Sequence, residues 1–120
     1  MIKKLVTITA LAMLLASSNS HAFITGNNLV EYCDDYEQYE QDGGSFRGGY
    51  CYGFVGGITQ TLHWVSDKSD KNKICASENV TQKQVVSIVR KYMEEHPEML
   101  HERADMLVII ALRIAFPCSE

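Results

Sequence analysis

Apolar residues recur at helical spacing in four stretches of this chain, and no segment alternates convincingly as a strand would. The first stretch is predicted to begin at Asn28, an N-cap whose capping box is closed by Glu31. Its apolar face consists of Leu29, Tyr32, Cys33, Tyr36 and Tyr39. The second stretch covers about residues 48–65, with a stripe formed by Cys51, Phe54, Val55, Ile58, Leu62 and Val65. Both patterns indicate helices with one buried face.

The third and fourth stretches complete the predicted core. Thr81 caps the third helix, Gln84 closes its capping box, and the step from His96 to Pro97 ends it. Pro97 suits the first turn of a further helical segment. In the fourth stretch, residues 106–116, only Arg113 is polar, so this helix belongs in the middle of a bundle or in a core plus a subunit interface. The pattern as a whole predicts an all-α fold, a small bundle of four to five helices.

Two polar surfaces stand out against these helices. One is an acidic face on the first helix, with no basic residue beside it in that helix: Glu31, Asp34, Asp35, Glu37 and Glu40. The other is a run of eight polar residues between the second and third helices, predicted to be a solvated loop: Ser66, Asp67, Lys68, Ser69, Asp70, Lys71, Asn72 and Lys73.

Three glycines of the second helix lie four residues apart and therefore share one side: Gly49, Gly53 and Gly57. Each glycine costs about 1 kcal/mol relative to alanine inside a helix. Close approach of another helix, in the same chain or in a second copy, would explain them. We therefore predict a homodimer. Its candidate faces are this stripe and those apolar residues of 106–116 that exceed what one buried helix face needs.

The first 22 residues have the order of a secretory signal peptide. Two lysines precede a twelve-residue apolar run that begins at Leu5, and small residues before Ala22 suit cleavage there. Residues 1–22 are thus the predicted leader and residues 23–120 the single mature domain, exported to an oxidising compartment. Nine basic and fifteen acidic residues remain, a formal charge of −6. This charge disfavours nucleic acid as a partner and suits a basic protein.

All four cysteines lie in the predicted mature domain, and an even number in a small exported chain indicates two disulfides. The sequence alone permits three pairings. If the third and fourth helices are antiparallel, Cys75 and Cys118 lie at the same end of that pair. Cys33 and Cys51 lie at about the same height along the first and second helices, which a short turn joins. We therefore expect Cys33–Cys51 and Cys75–Cys118. Zinc is disfavoured because no short ligand spacing such as C-x-x-C occurs.

No pattern in the chain requires catalysis. His96 and His101 are five residues apart, and neither a zinc-protease nor a nucleophile-elbow motif is present. We predict no catalytic residue, no metal ligand and no cofactor, and a binding protein in place of an enzyme.

The residues taken together resemble the Rap/Tai family of type VI secretion amidase immunity proteins. The resemblance covers essentially all of the mature chain. In the first half it rests on Phe23, Thr25, Gly26, Asn27, Leu29, Cys33, Cys51, Tyr52, Gly53, Phe54, Val55 and Gly57. In the second half it rests on Cys75, Val80, Thr81, Gln84, Val86, Tyr92, His96, Pro97, Glu98, Leu100 and His101, and on the ending Ala104, Leu107, Val108, Ala111, Leu112, Ala115, Phe116, Pro117 and Cys118. One departure is Ser77, where the family usually has proline.

The resemblance implies a periplasmic, disulfide-containing protein that often forms a homodimer. Such proteins bind and block a papain-like peptidoglycan amidase, which cleaves between D-glutamate and diaminopimelate and is injected by sister cells. It also implies that a protruding loop of one subunit and a C-terminal helix of the other subunit both contact the enzyme.

On this chain we expect the loop contacts to come from Ser66, Asp67, Lys68, Ser69, Asp70 and Asn72. The exposed candidates near the fourth helix are Glu98, His101, Glu102 and Asp105. The acidic face of the first helix is the rival site, acting by charge complementarity. Two other functions stay open: a small periplasmic acid-stress chaperone, and an inhibitor of lysozyme-type glycosidases, although the latter usually has a β-rich scaffold.

Overall fold

The computed structural model describes residues 21–64 and 73–119, together with Ile2. Within these ranges the chain forms five α-helices and one short 3₁₀ helix, and the predicted all-α bundle is confirmed. The elements in chain order are α1 Gly26–Asp34, α2 Tyr36–Asp42, α3 Phe46–Trp64, α4 Gln82–Glu95, the 3₁₀ helix Pro97–Met99 and α5 Ala104–Ala115. No helix of this described part is both long enough and apolar enough to cross a membrane.

The prediction for the first helix is wrong in two respects, its first residue and its continuity. The N-cap is Thr25, whose capping box is closed by Asn28, so that the helix begins at Gly26. The chain then leaves the helical path at Asp35, which separates α1 from α2. The break lies beside α3, since a Cβ atom at Gly48 would lie 2.4 Å from the carbonyl oxygen of Asp35. The break thus coincides with a tight contact from a helix later in the chain.

The remaining helix boundaries follow local chemistry. The amide of Gly48 donates to Ser45 Oγ at 3.1 Å, as the third residue of a capped helix does, and α3 accordingly begins at Phe46. The predicted capping box of α4 is confirmed: Gln84 N donates to Thr81 Oγ1 at 3.2 Å, and Thr81 N to Gln84 Oε1 at 2.7 Å. Pro97 opens the 3₁₀ helix, as predicted for a first-turn proline.

Both predicted disulfides are confirmed. Cys33–Cys51 joins α1 to α3 with Cα atoms 5.1 Å apart, and both residues are fully buried. Cys75–Cys118 joins the segment before α4 to the segment after α5, with Cα atoms 5.0 Å apart. Beside this second disulfide, the amide of Cys75 donates a backbone hydrogen bond of 3.0 Å to the carbonyl of Phe116. The bundle is thus crosslinked once inside its core and once at its edge.

The core lies between α1, α3, α4 and α5. Its most deeply buried large side chains are Leu29, Val55, Val86, Val89, Met93, Val108 and Leu112. The fourth apolar stretch is the predicted core helix only in part. Leu107, Val108 and Leu112 face inward, whereas Met106 is 42% exposed and Ile114 is 67% exposed. This helix therefore carries apolar surface on its outer side as well.

On α3, the glycines against which other helices pack most closely are Gly48 and Gly56. A Cβ atom at Gly56 would lie 2.8 Å from the side-chain amide of Gln82. At Gly49 it would lie 3.1 Å from the ring of Tyr39. At Gly53 and Gly57 it would meet no atom of residues 21–64 and 73–119 within 4 Å. Packing among the described residues therefore accounts for one glycine of the predicted stripe and not for the other two.

We expect Gly48→Ala to lower the free energy of unfolding by about 1–3 kcal/mol, because the added methyl group overpacks a rigid backbone contact. Gly53→Ala is the matched control. At a protein concentration that keeps the chain monomeric, it should raise the free energy by about 1 kcal/mol through helix propensity alone. Urea denaturation followed by circular dichroism measures both. Equal effects of the two substitutions would contradict the contact of Gly48 with Asp35.

Candidate partner-binding site

The predicted loop contacts lie outside the described residues, namely Ser66, Asp67, Lys68, Ser69, Asp70 and Asn72. The flanks of this segment are described. Trp64, the last residue of α3, is 85% exposed, and the chain returns through half-buried Lys73 to Ile74, which is 2% exposed. Ile74 packs in the core, and the disulfide of Cys75 follows at once. The residues that directly follow the predicted loop are therefore anchored by core packing and by a disulfide.

The second predicted surface is the turn before α5. Glu98 is exposed on the 3₁₀ helix, and His101 Nε2 lies 3.3 Å from Glu102 Oε1. The turn is held by the N-terminal segment, since the amide of Gly26 donates to the carbonyl of Glu102 at 2.9 Å and that of Asn27 to the carbonyl of Leu100, also at 2.9 Å. The sequence predicted these side chains to be exposed but not the segment that fixes their backbone.

Asp105, the last predicted contact near α5, is already paired. Arg103 Nε donates to Asp105 Oδ1 at 3.0 Å, and the Arg103 guanidinium also lies 3.8 Å above the ring of Phe23. The hydrogen bond from Arg103 holds the pKa of the Asp105 carboxyl below its usual value. The same bond raises the pKa of Arg103. Asp105 therefore belongs to this cluster, and Glu98, His101 and Glu102 are the better candidates for a partner contact.

The described flank of the predicted loop and the turn before α5 lie at different ends of α5. The base of the 66–73 segment is tied through Cys75 to the end of α5, whereas Glu98, His101 and Glu102 precede its beginning. The twelve residues of α5 span about 18 Å at 1.5 Å per residue.

The outer side of α3 carries apolar residues at both of its ends. Phe46 is 83% exposed and Trp64 is 85% exposed. At 3.6 residues per turn, these two side chains and the open positions Gly53 and Gly57 fall within about 20° of one line along the helix. We call this line, Phe46 to Trp64 with Gly53 and Gly57 between them, the α3 seam. It is a groove with an aromatic residue at each end.

The acidic face of the first helix is paired with basic residues from other helices. Arg47 Nη2 lies 2.9 Å from Glu31 Oε1, and Lys83 Nζ lies 3.1 Å from Glu40 Oε2. The guanidinium of Arg90 lies 3.9 Å from both Asp34 and Glu37. These pairs are exposed, and each contributes little to stability. Sequence alone missed the basic residues because they come from α3 and α4.

A cleft between α2, α3 and α4 is lined by three tyrosines and one carboxylate. Its volume is about 510 Å³, and we call Tyr36, Tyr39 and Tyr52 with Glu40 the tyrosine cleft. The rings of Tyr36 and Tyr52 are nearly parallel, at 8° with centroids 6.5 Å apart, and Tyr39 lies 5.6 Å from Tyr52. Burial raises the pKa of Tyr36, and the charge of Glu40 adds to this effect. The sequence indicated the aromatic face of the first helix but not Tyr52, which lies on α3.

Groups for catalysis are sparse in this part of the molecule. All four cysteines are in disulfides, which leaves no thiol nucleophile. The ring of His96 stacks on Tyr92, and its Nδ1 lies 2.8 Å from the Tyr92 carbonyl. Among the residues described, no cluster of His, Cys, Asp and Glu side chains is arranged to hold a metal ion.

The chain matches a protein-family model over most of its length. The model described as Rap1a immunity proteins matches residues 25–118, which include both disulfides and all the helices described above. Searches of the curated proteins and of the solved structures give no match.

Proposed function

Because the chain belongs to the Rap1a immunity protein family, we propose that it binds and occludes the active site of a papain-like peptidoglycan amidase delivered by type VI secretion. Members of this family are immunity proteins against secreted effectors. The match over residues 25–118 is the observation that carries the proposal. The finer identity of the effector, a D-glutamyl-diaminopimelate endopeptidase, follows from the resemblance noted in the sequence.

We further propose that the protein works in the periplasm after removal of residues 1–22. The two disulfides are compatible with an oxidising compartment of this kind. A periplasmic site also suits the function, because peptidoglycan and an amidase that cleaves it are found there.

The proposed inhibitory unit is a homodimer. Cys75, just after the undescribed residues 65–72, is joined to Cys118 beyond the end of α5, whereas Glu98, His101 and Glu102 precede its beginning. A two-fold dimer supplies the segment of one subunit and the turn of the other to the same enzyme. The α3 seam is our proposed dimer face. A Cβ atom at either of its glycines would meet none of the described residues within 4 Å, and its end residues are the most exposed aromatic side chains of that part of the chain.

The burial pattern supports this function over an acid-stress chaperone. In residues 21–64 and 73–119, no charged side chain is buried. Among these residues, Asp105 is the carboxylate whose pKa is held low, so acid weakens its surface pair with Arg103 but does not act on a charge in the core. An immunity protein that remains folded fits this pattern better than a chaperone that must unfold to work.

Replacing residues 67–72 with a Gly/Ser stretch of equal length tests the contact. We expect the dissociation constant for the amidase to rise at least tenfold, about 1.4 kcal/mol, while circular dichroism stays unchanged. Calorimetry with the purified enzyme, and cleavage of a D-glutamyl-diaminopimelate peptide in its presence, measure the effect. The matched variant neutralises Asp34, Asp35 and Glu37. Loss of affinity in that variant alone would move the contact to α1 and α2, and an enzyme that the wild-type protein does not bind would refute the proposed function.

A further inference from the structure

We propose that the Cys75–Cys118 disulfide is a thiol-exchange site, which a dithiol reductant opens while the Cys33–Cys51 disulfide stays closed. The two crosslinks differ in their surroundings. Cys33 and Cys51 are fully buried in the core, whereas Cys75 is exposed and Cys118 is half-buried. Thiol–disulfide exchange requires a thiolate to reach a sulfur atom, so exposed disulfides are the labile ones. The fold therefore has one crosslink that resists reduction and one that is accessible to it.

Cys75 lines a groove at the end of α3 through which that thiolate can approach. The volume of this groove is about 530 Å³. Its lining residues are His63, Lys73, Ile74, Cys75, Ala76 and Ser77. None of these six described residues is a carboxylate, and Glu78, the next acidic residue along the chain, lines a neighbouring cleft instead. A thiolate is an anion, so the ammonium group of Lys73 attracts it toward the disulfide. The groove thus favours attack from the side of Cys75.

The exchange takes place in two balanced steps. A thiolate of the reductant first attacks Sγ of Cys75, so that a new S–S bond forms between them and the bond to Cys118 breaks. The Cys118 sulfur leaves as a thiolate and takes up the proton that the attacking thiol has released. The second thiol of the reductant then loses its proton and attacks the reductant's own sulfur in this mixed disulfide. Cys75 leaves as a thiolate and takes that proton, and the reductant, now a disulfide, has given two electrons to the protein. The same steps in reverse, with a disulfide oxidant, close the crosslink again.

Reduction loosens the end of the predicted loop without opening the bundle. Ile74 still packs in the core, and the amide of Cys75 still donates to the carbonyl of Phe116 at 3.0 Å. The covalent tie to the end of α5 is lost, however, directly after the loop. A loop with a looser base costs more to order when it binds a partner. The amidase, an identity that rests on the proposed function, therefore binds the reduced protein more weakly.

The chemistry is tested on the oxidised mature protein alone, with dithiothreitol as the dithiol and no denaturant. Newly formed thiols are blocked with iodoacetamide and assigned by peptide mass spectrometry. We expect Cys75 and Cys118 to be labelled at least tenfold faster than Cys33 and Cys51. Low concentrations of urea should not change this rate, because the folded protein is attacked. Equal or reversed labelling, no labelling of Cys75, or a rate that rises with urea as global unfolding does would overturn the proposal.

The approach through the groove is tested with an anionic monothiol, 2-mercaptoethanesulfonate. We expect its mixed disulfide on Cys75. Lys73→Gln should slow the reaction at least twofold at low ionic strength, because it removes the charge that attracts the reagent. Lys91→Gln, which removes an exposed lysine of α4, is the matched control and should leave the rate unchanged. A mixed disulfide on Cys118, or equal rates in the two variants, would overturn the assigned point of attack.

The consequence for the partner is tested with protein whose Cys75 and Cys118 have been reduced and alkylated. Both reagents are removed before the amidase is added, so that the enzyme's own cysteine stays intact. We expect unchanged circular dichroism and a dissociation constant at least fivefold higher than that of the oxidised protein. The double variant Cys75→Ala, Cys118→Ala should show the same rise, which separates loss of the crosslink from the bulk of the alkyl groups.

The outcomes of this last experiment are distinguishable. If the amidase binds the oxidised protein, the alkylated protein and the double variant alike, the effect of the exchange on the partner is overturned and the immunity function stands. If the amidase does not bind the oxidised protein at all, the immunity function fails instead, and the exchange site stands or falls by the labelling rates alone.

Discussion

Replacing Cys33 and Cys51 together by alanine is expected to lower the free energy of unfolding by about 4 kcal/mol. The crosslink closes 18 residues, which corresponds to about 3 kcal/mol of chain entropy in the unfolded state. Both cysteines are also fully buried among core side chains, so removal of the two sulfur atoms leaves a small void that costs about 1 kcal/mol more. A protein of this size has about 5–15 kcal/mol of stability in all, so most of its margin would be lost. Urea denaturation of the double variant measures the loss.

The comparison of serine with alanine is the control for this prediction. Two serine hydroxyls at positions 33 and 51 would be buried without partners and should cost at least about 1 kcal/mol more than two alanines. At Cys75, which is exposed, and Cys118, which is half-buried, serine and alanine should give the same stability within about 0.5 kcal/mol. Equal stability of the serine and alanine variants at positions 33 and 51 would contradict a dry core around that disulfide.

Substituting Gly53 by arginine is expected to weaken the homodimer at least 100-fold, about 2.7 kcal/mol, without loss of monomer stability. A Cβ atom at this position meets none of the residues that the structure describes within 4 Å, so we expect the monomer to accommodate the side chain. At a two-fold seam the same substitution occurs on both sides and places two like charges in a dehydrated contact. Sedimentation velocity over a range of concentrations measures the shift to monomer.

Ser87→Arg is the matched control, since it adds the same charge at an exposed position of α4. It should leave self-association unchanged. The Gly53→Arg variant should also lose most of its inhibition of the amidase, because the proposed site draws on two subunits. A variant that is monomeric and still inhibits fully would contradict the two-subunit site, and unchanged association would exclude the α3 seam as the dimer face.

The sequence predicted those features that depend on neighbouring residues or on simple topology. The Thr81 capping box is local chemistry within four residues, and the cysteine pairing follows from the antiparallel order of helices. The break at Asp35 could not be predicted in the same way, because it is associated with the approach of Gly48 from a helix that starts eleven residues later. Local pattern at positions 28–40 favoured one continuous helix.

The candidate site was predictable to a smaller extent for the same reason. Exposure of Glu98 and His101 follows from their polar character, and the structure agrees. The tyrosine cleft is assembled from three helices, and its carboxylate is paired with a lysine 43 residues later in the chain. Periodicity within one helix gives the aromatic face of α1 and α2 but does not indicate which side chains of other helices complete it.

The contact between the N-terminal segment and the turn before α5 has a consequence for the order of biogenesis. The amides of Gly26 and Asn27 are satisfied by the carbonyls of Glu102 and Leu100, and the guanidinium of Arg103 lies over the ring of Phe23. The start of α1 thus obtains its partners from a segment more than 70 residues later in the sequence. Cys75 likewise pairs with a residue 43 positions later, Cys118. A fragment that ends before residue 100 lacks all of these contacts, so the N-terminal helix reaches its final packing only when the C-terminal segment has been made.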